Sequence, residues 1–144
     1  MTATSVPSTA PPAPTPPSLR RWGVVVFVLF LLTSAIGGSL ALEGSYLLVT
    51  LASHIGLALV TLAVAGYATS AIGRTYLPLP RSSAALAAVA ALGATIAGTV
   101  YLLAGHSSAA LYAMEGLGGL GLLGGLLMMV FGGASGRRRP APAA

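Results

Sequence analysis

The sequence predicts an all-α chain, an integral membrane antiparallel four-helix bundle, and three observations carry that prediction. Four apolar runs of more than 20 residues each are broken by a single internal charge, Glu115. All seven basic residues are arginines, and each stands at the end of a run. The connections are short, which makes successive helices antiparallel neighbours. Only 6% of the 144 residues are charged and the mean hydropathy is +0.90. Soluble domains carry about a quarter charged residues, so one membrane domain is expected with little room for another.

The net charge of +5 does not make a nucleic-acid surface. Its arginines flank apolar runs instead of alternating with aromatics on a polar face, so no nucleic-acid partner is expected. The absence of cysteine excludes disulfides, thiolate metal sites and CxxC redox chemistry.

Residues 1–21 open the chain. Pro, Thr, Ser and Ala dominate Met1 to Ser18, with too little to bury to offset chain entropy, and a disordered tail is expected. The transmembrane domain is expected over 22–131 and a basic tail over 132–144. The first run, Trp22 to Leu42, follows Arg20-Arg21 and places Trp22 where an interfacial aromatic belongs. A cleaved signal peptide, or its twin-arginine variant, is the rival reading, with Ser39-Leu40-Ala41 as cleavage site. The run is longer than the usual apolar core of such a peptide.

After Glu43-Gly44-Ser45 comes the second run, Tyr46 to Ile72. Arg74 to Arg81 then forms a connection with Pro78 and Pro80; prolines end helices, so the third run is expected from Ser82 to Ala104. Gly105-His106-Ser107-Ser108 is a turn, with Ser107 or Ser108 as N-cap of the fourth run, Ala109 to Phe131. Arginines gather before the first run, between the second and third, and after the fourth. The positive-inside rule then predicts a multi-pass plasma-membrane protein with both termini cytoplasmic.

Close approach of helices in lipid needs small residues. The fourth run offers Gly116, Gly118, Gly119, Gly121, Gly124 and Gly125, and the third offers Ala90, Ala94 and Gly98. Two uses are open: helix-on-helix contact, or space for a flat cofactor against the backbone. Met128 and Met129 read as lipid-facing or gap-filling.

Polar groups within the spans are few. Thr50, His54 and Thr61 share one face of the second helix. His54 lies about 12 Å below the end at Tyr46, and Met114 and Glu115 reach a similar depth on the fourth helix. His54 serves one of three ends: an interhelical hydrogen bond to a threonine or carbonyl, axial ligation of haem, or proton relay. Met114 or His106 would be the second ligand, since thioether and imidazole both ligate haem iron. His106 equally suits a wet interfacial turn. Glu115 is either a neutral acid or the partner of His54 in an ion pair.

The stretch Gly37-Gly38-Ser39-Leu40-Ala41-Leu42-Glu43-Gly44-Ser45 looks like the end of the first helix of haem A synthase, a cytochrome oxidase assembly family. His54-Ile-Gly-Leu-Ala-Leu-Val-Thr-Leu resembles that family's second-helix histidine and the leucine-rich run after it. Trp22 to Phe131 would correspond to one four-helix half of its duplicated fold. The resemblance implies haem b held by His54. Leu51 stands where the family has a glutamate, Ile55 where it has arginine, and Met114 or Glu115 where its fourth-helix histidine falls. The family's long outer loop is also missing. These departures leave haem binding implied, without support for oxidation of a haem methyl group.

Two functions are therefore expected in alternative. One is a b-type cytochrome-like protein working in electron transfer or haem handling, beside a respiratory oxidase or other membrane complex. The other is a non-catalytic accessory or assembly subunit of a larger membrane complex. Solute transport is weaker, because few polar groups could line a pathway.

Overall fold

In this computed structural model, residues 18–43, 48–73 and 78–134 are described. The two expected tails and the polar break at Gly44-Ser45 lie almost entirely outside them. Four helices follow in order: α1 Leu19–Glu43, α2 Leu48–Gly73, α3 Pro78–Leu103 and α4 Ser108–Ala134. The shortest has 25 residues, which at 1.5 Å per residue exceeds a hydrocarbon core of about 30 Å. All four contain stretches long and apolar enough to cross a membrane. The chain is an all-α, multi-pass membrane bundle.

Two helices begin earlier than the apolar runs suggest. Ser18 caps α1, its carbonyl and hydroxyl both accepting from the Arg21 amide, at 2.9 and 3.2 Å. The cap draws Arg20 and Arg21 into the first turn. Likewise α3 starts at Pro78 instead of Ser82. A proline in the first turn gives up no intrahelical bond and its fixed φ suits the helix, so the prolines open α3.

At its other end α3 stops at Gly105 and His106, both with positive φ, 70° and 66°. The His106 amide reaches back to the Tyr101 carbonyl at 2.9 Å, closing the helix. Ser107 then accepts from the Leu111 amide at 3.1 Å as the N-cap residue of α4.

Each helix packs on its sequence neighbours and α4 closes against α1. The bundle is a four-sided ring in which α2 and α4 face one another diagonally, as do α1 and α3. The first helix is thus one wall of the bundle.

Burial is uneven along the bundle. The fully buried residues gather toward the end where α1 and α3 begin: Val26 and Phe30, then Ala65, Ala68 and Ile72, then Ala84, Ala87 and Ala90, with Met128 completing the cluster. Glycines let the backbones close there. A Cβ at Gly125 would lie 2.9 Å from the Phe27 amide nitrogen, and one at Gly124 as near the Ala87 nitrogen. One at Gly23 would come within 2.7 Å of the Met129 nitrogen. Met128 is the gap-filler the sequence allowed. The Thr69 hydroxyl lies between the Ala65 carbonyl of its own helix at 2.8 Å and the Ala84 carbonyl of α3 at 2.9 Å, so its one proton is shared between them. The Trp22 and Tyr67 rings meet at 5.3 Å and a 53° tilt between α1 and α2.

Candidate functional site

The opposite half of the bundle is looser, and its floor is polar. Thr33 on α1 and Thr61 on α2 bring their hydroxyls within 3.1 Å, while each also lies 2.7 Å from a carbonyl of its own helix, Leu29 and Leu57. Each hydroxyl has one proton, so one of the pair donates across and the other donates back to its helix. Above this pair the helices part around two chambers of about 280 and 200 Å³.

The chambers share a wall that includes His54, Met114, Ala58, Ala94 and Leu111. His54 stands six residues into α2 and Met114 six into α4, two diagonal helices that run in the same direction. Gly37 lies six residues before the end of α1 and Gly98 five before the end of α3. All four are thus about 8–9 Å from one end of the bundle, at 1.5 Å per residue. Counting puts His54 and Met114 at one level about 12 Å deep; they share a level, about 3 Å nearer the end because α2 starts at Leu48 and not at Tyr46.

Each of these side chains rests on a glycine. A Cβ at Gly37 would come within 2.7 Å of His54 Cε1 and 3.3 Å of both ring nitrogens. One at Gly98 would sit 3.3 Å from the Met114 sulfur. The imidazole therefore leans on α1 and the thioether on α3. The backbone of Thr33 interacts with the imidazole, whereas its Nδ1 is buried without a hydrogen-bond partner. A buried polar atom left unpaired costs about 1–3 kcal/mol, which a ligand could recover.

The other expected site residues are distributed unequally. Thr61 is buried in the floor of the larger chamber, and Glu115 lines that chamber from an exposed position. Thr50, half-buried, lines neither. His106 also lines neither; exposed in the α3–α4 turn, its ring meets Tyr101 edge-on at 5.0 Å. The structure brings His54, Met114, Glu115 and Thr61 together and leaves His106 and Thr50 outside.

The glycines divide as well. Gly121 faces the Phe30 ring, and Gly124 and Gly125 face the backbones of α3 and α1, so these serve helix contact. Gly38 and Gly119 have open space where a side chain would be, and both line the larger chamber. Sequence reasoning did not single out Gly37 as the seat of His54 or Thr33 as its neighbour. The i, i+4 spacing of Thr33 and Gly37 puts them on one face, but which face meets α2 depends on packing.

No known family, curated protein or solved structure matches the chain.

The donor set decides which ligand fits. Among the described residues no three His, Asp or Glu side chains converge, so a bare ion would find too few protein ligands. A porphyrin brings four nitrogens of its own and asks the protein only for axial donors. Imidazole and thioether on diagonal helices, an unpaired ring nitrogen, apolar walls and side-chain-free space at Gly38 and Gly119 suit such a group. The Glu115 carboxylate makes its own edge of the chamber unsuited to propionates.

Proposed function

We propose that this chain is a haem-binding, b-type cytochrome-like membrane protein serving electron transfer or haem handling beside a respiratory oxidase or another membrane complex. The observation that carries this reading is that His54 and Met114, on diagonal helices, line the same two chambers at one level. The resemblance of the His54 segment to haem A synthase supports it.

His54 and Met114 would hold the group, the first positioned by Gly37 and the second by Gly98. Haem would supply a one-electron Fe(III)/Fe(II) couple. A thioether on one side raises the potential relative to two imidazoles. Phe30, Ala91, Leu111 and Leu122 give the donors apolar walls.

The arginine pattern supports a plasma-membrane orientation with both termini cytoplasmic and the chambers toward the outer leaflet. An accessory subunit would dock through free glycines; Gly121, Gly124 and Gly125 are occupied within the bundle, whereas Gly116 and Gly119 of α4 stay exposed and support that alternative. The test is the visible absorption spectrum of the purified protein with haem supplied during expression.

A further inference from the structure

Glu115 has a separate problem. It stands seven residues into α4, about 10 Å from the helix end, on an exposed surface within a membrane-length apolar stretch. A carboxylate at such a depth is expensive, and in membrane proteins marks function when a partner can be named. Among the described residues no arginine stands near it. Arg20, Arg21 and Arg81 stand at the other end of the bundle.

What Glu115 does have is a chamber. It lines the larger cavity on the side between α1 and α4, where Ser34 and Gly119 are also exposed. The open space beside Gly38 and Gly119 makes that side a mouth toward lipid. Phe30 and Leu122 lie beneath it. One carboxylate cannot satisfy a hard metal cation, which takes six or more oxygens. The apolar walls call for a cation whose charge is spread over apolar substituents.

We propose that the α1–α4 mouth binds a lipophilic organic cation from the membrane, with Glu115 as counter-charge and the larger chamber holding its apolar groups. Its chamber is the one proposed above for haem, so the site is that of the haem-free chain and does not depend on iron being bound.

The full chain, purified without added haem into zwitterionic nanodiscs, is titrated with methyltriphenylphosphonium and with neutral triphenylphosphine oxide. The wild type should bind the phosphonium saturably and more tightly than the oxide. Glu115→Gln should weaken phosphonium binding at least about tenfold, as expected for a charge compensated at membrane depth, and leave the oxide unchanged. Gly119→Leu, whose side chain enters open space and leaves helix packing intact, should weaken both. Absence of saturable phosphonium binding, or equal affinity in Glu115→Gln, overturns the proposal. Unchanged binding of both probes by Gly119→Leu overturns the mouth as their location. None of these readouts uses haem, so a haem-free protein leaves the result interpretable.

Discussion

The imidazole of His54 lies against the backbone of Gly37, so close that a Cβ at position 37 would come within 2.7 Å of the ring. A glycine on one helix thus sets where the only histidine on a described span can stand. With Gly98 under the Met114 sulfur, the arrangement recurs on the opposite side of the bundle.

Gly37→Leu should therefore displace the ring. Overpacking a fitted contact costs about 1–3 kcal/mol, so thermal unfolding in detergent should occur at lower temperature than for the wild type. Any haem spectrum should weaken in parallel. A variant as stable and as coloured as the wild type would show that the ring does not need this seat.

The glycines of α4 should separate into two classes. Gly121→Leu collides with the Phe30 ring, whereas Gly119→Leu meets open space. The first should destabilise the bundle by about 1–3 kcal/mol or more, and the second by much less. Denaturation of the two variants side by side checks this, and equal stabilities would contradict the packing described.

How far the sequence revealed this arrangement differed by level. Helix number and antiparallel order were legible because apolar runs and arginine junctions are long-range signals. That His54 and Met114 share a level was legible too, since a helix rises a fixed distance per residue, but the depth came out about 3 Å too large because α2 starts at Leu48 and not at Tyr46. The starts of α1 and α3 were not, because Ser18 and Pro78 act through capping and first-turn geometry that hydropathy does not register. Nor were the glycine seats. Gly37 and Gly121 are both glycines in apolar runs, and only the rotation of each helix decides that one holds a histidine and the other a phenylalanine. Thr50 and Thr61 share a face, so depth separates them: Thr50 stands two residues into α2, at the end of the bundle, and Thr61 lies at the chamber floor.

The arginine placement predicts an orientation with both termini cytoplasmic. Reporter fusions at Ser45 and Ser107 should register outside the cytoplasm, and a fusion at Pro78 inside it. A cytoplasmic signal at Ser107 would reverse the assignment and place the chambers toward the inner leaflet.

The second axial donor should be Met114 and not His106, because Met114 lines both chambers and His106 neither. Met114→Ala should shift the Soret band and lower the reduction potential or its definition, since a thioether favours the ferrous state. His106→Ala should leave both unchanged. A larger effect at His106 in potentiometric titration would transfer the assignment to the turn.

The most direct test is the reduced-minus-oxidised spectrum of the wild type and His54→Ala, each purified after haem-supplemented expression. The wild type should show the bands of a b-type haem, and His54→Ala should lose them or shift them sharply while retaining its helical content. A colourless wild type, or a spectrum unchanged in His54→Ala, would contradict the account of this site.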